Sequence, residues 1–139
     1  VSSWRGSCHC GAIGFEYSTV IPVGKWPVRA CQCSFCRKHG ATYTSDPAGG
    51  VRFVQEDPSA VSRYRFGQET ADFVFCCRCG GYLGALTEED GQVLMVMNLR
   101  AFDPQPQGLP AAQPMSYEGE SKGERETRRS ARWTPANGV

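Results

Sequence analysis

Alternation with a period of two dominates the first hundred residues. Ile13, Phe15 and Tyr17 interleave with Gly14, Glu16 and Ser18, so one face of a strand is apolar and the other small or polar. Tyr64 and Phe66 alternate with Arg63 and Arg65 in the same way, and Phe73 and Phe75 repeat the pattern. The apolar runs Tyr82 to Leu86 and Val93 to Met97 flank Glu88-Glu89-Asp90-Gly91, which reads as a hairpin turn. Ser45 to Gly50 and Gln55 to Ser59 carry the Asp, Pro, Gly and Ser of loops. The pattern predicts an all-β architecture of short strands with little helix.

The pattern changes after Asp103. Pro104, Pro106, Pro110 and Pro114 interrupt regular structure, and Glu118 to Arg132 mixes acidic with basic side chains. Composition alone predicts a loosely held segment, with Trp133 as the anchor that would pack it on the body or on a neighbouring subunit. The chain thus divides into a domain over 1–102 and a Pro-rich, charged extension over 103–139. A possible homodimer follows from the second packing choice.

A length of 139 residues accommodates one domain. Fifteen basic against fourteen acidic side chains leave a net charge of +1, which argues against a nucleic-acid partner. No apolar run reaches the roughly 18 residues that cross a bilayer, so no membrane partner is expected. The run Val1-Ser2-Ser3-Trp4-Arg5 lacks an apolar signal core, and the expected location is cytoplasmic.

Eight cysteines change the picture. They fall in three tight clusters: Cys8-His9-Cys10, Cys31-Gln32-Cys33-Ser34-Phe35-Cys36 and Cys76-Cys77-Arg78-Cys79. Cysteines one or two residues apart are poorly placed for disulfides, whereas clustered thiolates converge readily on one cation, and zinc is the expected one. Cys31, Cys33 and Cys36 offer three thiolates and leave a tetrahedral ion one open position, the mark of a catalytic site. His39 is the alternative fourth ligand, and it would close the site into a structural one. Cys8 and Cys10 with Cys76 and Cys79 make a four-thiolate site that staples the N-terminal strand to the later hairpin. Cys77 could replace Cys76 as a ligand; otherwise it reads as a small buried hydrophobe. His9, between two ligands, should point away from the metal. Arg37 and Lys38 follow the middle cluster and could offset its charge or receive the carboxylates of an acidic substrate.

Ser7-Cys8-His9-Cys10-Gly11-Ala12-Ile13, Cys31-Gln32-Cys33-Ser34-Phe35-Cys36-Arg37-Lys38 and Phe75-Cys76-Cys77-Arg78-Cys79-Gly80 together resemble the glutathione-dependent formaldehyde-activating enzyme family, which includes centromere protein V. The likeness runs from about Arg5 through Asn98-Leu99-Arg100. It implies a mainly β, β-tent fold of coiled antiparallel sheets and two zinc ions per chain. One is structural, on Cys8, Cys10, Cys76 and Cys79; the other is catalytic, on Cys31, Cys33 and Cys36. Arg37, Lys38 and His39 are candidate substrate contacts. The implied activity is that of a carbon–sulfur lyase acting on a small-molecule thiol or thiol adduct, such as S-hydroxymethylglutathione formed from formaldehyde and glutathione. Two other function classes compete: a non-catalytic zinc-stapled binding module, and dithiol redox chemistry at Cys76-Cys77-Arg78-Cys79. The fourth ligand of the middle site separates enzyme from module.

Overall fold

The run Ile13, Phe15 and Tyr17 becomes a strand with its apolar face buried, whereas Tyr64 stays exposed and, on the strand of Phe73 and Phe75, it is Val74 and Cys76 that are fully buried. A computed structural model describes residues 1–139. In chain order the elements are β1 (Ser2–Ser7), β2 (Ile13–Thr19), β3 (Arg29–Cys31), α1 (Ser34–His39), β4 (Tyr43–Thr44), β5 (Gly50–Gln55) and β6 (Val61–Tyr64). They continue with β7 (Asp72–Cys76), β8 (Tyr82–Glu89), β9 (Gln92–Asn98), β10 (Gln113–Met115), α2 (Lys122–Arg132) and β11 (Thr134–Asn137). Ile13, Phe15 and Tyr17 on β2 are each no more than 1% exposed, as their spacing predicts. The β8–β9 hairpin pairs from Gly84↔Met97 to Glu89↔Gln92. Its turn is the dipeptide Asp90-Gly91, with φ of 50° and 78°, the left-handed pair that a two-residue hairpin needs. β6 stops at Tyr64, so Phe66 lies in the following loop rather than on the strand.

The fold is mainly β, with one mixed sheet in the order β1-β2-β5-β11-β9-β4-β3-β10 and a branch β9-β8-β7-β6. Most pairs are antiparallel; the two parallel pairs, β10 with β3 and β11 with β5, both involve strands beyond residue 103. β11 joins β5 on one edge and β9 on the other, so the last strand stitches the two halves of the sheet together.

The C-terminal segment departs from the loose structure that its composition predicts. Pro114 sits within β10, a three-residue strand at the end of the sheet order, where a missing N–H costs least. Residues 122–132 form α2, capped reciprocally by Ser121 and Glu124. Alanine is the only apolar residue in that helix, so hydrophobic periodicity could not reveal it. Its inner face is built from arginine instead, with Arg129 only 6% exposed. Trp133, 7% exposed, follows directly and turns the chain into β11.

Two clusters of buried side chains result. The larger packs Phe15, Tyr17, Trp26 and Phe102 edge to face, with ring centroids 5.2 to 6.2 Å apart. The smaller gathers Cys36, Tyr43, Tyr82, Val96 and Trp133.

Candidate metal centres and the adjoining cavity

Cys8 follows β1 directly and Cys10 lies in the turn before β2, while Cys76 ends β7 and Cys79 lies in the turn before β8. The two turns meet because Gly81 has no side chain. A β-carbon there would come within 2.9 Å of both Cα and Cβ of Cys8. The sulfurs of Cys8, Cys10, Cys76 and Cys79 all lie within 4.8 Å of one another. Cys8 to Cys10 and Cys10 to Cys76 are each 3.7 Å. A tetrahedron with Zn–S bonds of about 2.3 Å has sulfur–sulfur edges of about 3.8 Å, so the spacing fits a four-thiolate metal site and not a disulfide.

Backbone amides point at three of the four sulfurs. Cys10 N–H donates to Cys79 Sγ at 3.5 Å, Ile13 N–H to Cys8 Sγ at 3.5 Å and Arg78 N–H to Cys76 Sγ at 3.4 Å. The Cys10 amide, with that of Gly81, pulls the Cys79 pKa down to about 6. Cys77 points elsewhere: it is exposed, and its sulfur lies 3.6 Å from the Ser59 carbonyl. Cys76 therefore faces the group, and Cys77 is not the buried hydrophobe expected of it. His9 is exposed, as its position between Cys8 and Cys10 implies.

The middle group is built locally. Cys31 ends β3, Cys33 caps α1, and Cys36 stands three residues further on, where its N–H donates to Cys33 Sγ at 3.4 Å. A cap and the third residue of a helix face each other, which brings these two sulfurs together. The three sulfurs lie within 4.8 Å of one another, and no histidine or carboxylate joins them. His39 is stacked against Phe35 at 4.3 Å and lies 5.4 Å from the Tyr82 ring. Hydrogen bonds from Cys31 and Cys36 hold the Cys33 pKa far below the ordinary thiol value, while the same contacts raise those of Cys31 and Cys36.

Two tyrosines complete this site, and no local pattern in the sequence marks either. Tyr43 Oη is 3.0 Å from Cys36 Sγ and 2.8 Å from Tyr82 Oη. Burial raises both phenol pKa values, so the hydroxyls stay protonated and the chain Tyr82–Tyr43 ends on the Cys36 sulfur. β4 and β8 supply these tyrosines from opposite edges of β9.

A cavity of about 390 Å³ opens beside the three thiols, within the usual range for small-molecule sites. Cys31 and Cys33 line it, as do Phe66 and Phe73 on one wall and Arg37 with three arginines of α2 elsewhere. A smaller space of about 80 Å³ adjoins Cys31, Cys36 and Tyr43. Arg37 thus faces the cavity; Lys38 is exposed and lines neither space. No helix is long and apolar enough to cross a membrane.

Comparison with known proteins agrees with this geometry. A crystal structure of a Rhodobacter sphaeroides protein matches with a TM-score of 0.61 and 26% sequence identity, covering 80% of this chain and 99% of that one. The family model described as glutathione-dependent formaldehyde-activating enzyme matches residues 3–117, which include all eight cysteines and both tyrosines. On that match the chain belongs to the glutathione-dependent formaldehyde-activating enzyme family.

Proposed function

We propose that the protein is a zinc-dependent carbon–sulfur lyase-type enzyme acting on thiol adducts such as S-hydroxymethylglutathione. One observation carries this reading. Of the three converging thiols, Cys31 and Cys33 line a ligand-sized cavity and Cys36 lies on the smaller space beside it, and no fourth side-chain ligand converges on them. A metal held there keeps a position for an exogenous group, whereas the four-thiolate group is already complete. The donor set suits zinc at both places.

Zinc on the middle thiolates would supply Lewis acidity toward a thiolate sulfur or an aldehyde oxygen. The reaction breaks the sulfur–carbon bond of the hydroxymethyl adduct. The hydroxyl proton ends on sulfur, and the products are thiol and aldehyde; the reverse step joins them. In this reading Tyr43 holds its proton toward Cys36 Sγ and fixes that ligand's orientation, with Tyr82 behind it. Phe66 and Phe73 limit water on one wall, and Arg37 receives a carboxylate at the rim. Thiolates that must stay reduced suit a cytoplasmic location.

The test is exchange between formaldehyde and glutathione by zinc-loaded protein. Wild type should accelerate it, and Cys36→Ser should lose at least about two to three decades in rate while retaining the other zinc and the fold. A wild type that carries two zinc ions but turns over no thiol adduct would move the protein to the binding-module reading.

A further inference from the structure

Arg129 is a guanidinium in an unusual position. It is 6% exposed, its Nε has no hydrogen-bond partner, and it forms no ion pair. Its only hydrogen bonds run from one terminal nitrogen to the Thr70 carbonyl at 3.0 Å and the Thr70 hydroxyl at 2.9 Å. By contrast, its neighbours Arg125 and Arg128 share Glu120, at 3.3 and 2.9 Å. Burial, with Arg128 and Arg125 nearby, lowers the Arg129 pKa to about 10. The Trp133 ring, 4.9 Å from the guanidinium carbon, and the charges of Glu89 and Glu120 offset this in part, but no carboxylate is paired with the buried cation, and a bound anion would complete it.

Arg129 lines both spaces beside the three-thiol group, and α2 brings Arg125 and Arg128 to the same wall of the larger one. Glu118 is the only carboxylate on that cavity, against four guanidiniums. α2 begins at Lys122, beyond residue 117 where the family match ends. The wall is therefore a feature of this chain rather than of the matched stretch.

We infer that α2 is a specificity element, in which Arg129, flanked by Arg125 and Arg128, receives a carboxylate of the thiol adduct while the sulfur faces Cys31 and Cys33. This rests on the thiol-adduct reading of the site. A guanidinium binds a carboxylate through its N–H donors, and the second terminal nitrogen of Arg129 is the donor left free, beside an Nε that is itself closed off from solvent. A neutral thiol adduct leaves that cation unanswered, so the wall selects acidic adducts over neutral ones.

The experiment uses S-methylglutathione and its dimethyl ester, neither of which can react, titrated calorimetrically into the zinc-loaded full chain. Wild type should bind the diacid at least tenfold tighter than the ester. Arg129→Gln should bring that preference below threefold with zinc content and circular dichroism unchanged. Glu120→Gln, which frees Arg125 and Arg128 at some cost to the attachment of α2, should raise it at neutral pH. Equal binding of acid and ester by wild type overturns the proposal, as does an unchanged preference in folded Arg129→Gln. Should Arg129→Gln fail to fold, wild type and Glu120→Gln decide the matter alone. Competition by inorganic phosphate at concentrations where acetate has no effect would assign the wall to phosphate and overturn the carboxylate assignment. Because the thioethers do not turn over, a charge preference without catalysis sinks only the enzyme reading.

Discussion

The two cysteine groups use the same donor chemistry in opposite structural settings. The four-thiolate group joins segments almost seventy residues apart, as in Cys10 to Cys79, and its Cys8 and Cys76 belong to the larger core. The three-thiol group is drawn from six consecutive residues, and only Cys36 of the three is buried. A metal on the first closes a long loop and so stabilises the fold directly. A metal on the second orders only the end of β3 and the short helix α1, where the pairing of β3 with β4 already holds the strand. Distance along the chain thus separates a group placed to stabilise the fold from one that, in the proposed reading, is free to do chemistry.

The comparison breaks most visibly under mutation of one ligand in each group. Structural zinc contributes on the order of 10 kcal/mol of folding free energy in small zinc peptides. Cys79→Ser should therefore lower the melting temperature by tens of degrees or leave the chain unfolded. Cys36→Ser should lower it by only about 3–5 °C per kcal/mol lost from the small cluster, a few degrees in all. Thermal melts with zinc analysis of both variants check this. Equal losses would mean that both sites are structural.

Tyr43→Phe sharpens the difference at smaller cost. It removes the hydroxyl 3.0 Å from Cys36 Sγ and leaves Tyr82 Oη without that partner. The expected loss is about 1–3 kcal/mol of stability, because both groups are buried. Zinc should be held more weakly at the middle group alone, measured as one easily chelated ion per chain beside one that resists chelation. Equal weakening of both ions would place the tyrosine outside the site's support.

Acid should loosen α2 through Glu120. Hydrogen bonds and charge from Arg128, with Arg125, hold the Glu120 pKa below the ordinary glutamate value. For a depressed carboxylate the stabilisation is complete above the unfolded value of about 4.3 and disappears as pH falls through the folded one. Hydrogen exchange across 118–132 should therefore accelerate as pH falls below about 4.3, after correction for intrinsic rates. Glu120→Gln should remove that step. An unaltered pH profile in the variant would locate α2's attachment elsewhere, in Arg129 and Trp133.

The part of this architecture legible in the sequence is the part carried by local repetition. β2, β7, β8 and β9 appear as alternating or apolar runs, and the cysteine spacings bring out both groups, since each knuckle is a local turn. What stayed hidden depends on distant partners. β11 holds two strands together through Thr134 to Asn137, a segment with no strand-like alternation of its own. α2 buries arginine stems rather than apolar side chains, so its capping box at Ser121 and Glu124 was the only local sign of it. Tyr43 and Tyr82 are ordinary core tyrosines in sequence. Only the shared neighbour β9 puts their hydroxyls against each other and Cys36.

The smallest expected effect concerns the eighth cysteine, and it tests the assignment of the four-thiolate group most finely. Cys76 and Cys77 are adjacent, and either spacing to Cys79 is compatible with a zinc knuckle. Strand alternation decides between them: Cys76 pairs opposite Val61 at the end of β7 and points inward with 0% exposure, so its neighbour must point out. Cys77 is held only by its backbone, with its N–H on the Ala60 carbonyl at 2.8 Å, and its sulfur makes one weak contact at 3.6 Å. Serine fits that position without loss of packing, and Cys77→Ser should change stability by no more than about 0.5 kcal/mol. Zinc content should remain at two per chain, and the free thiol reactive toward an exposed-cysteine reagent should vanish. A drop to one zinc, or a melting shift comparable with that of Cys79→Ser, would show that Cys77 and not Cys76 completes the site.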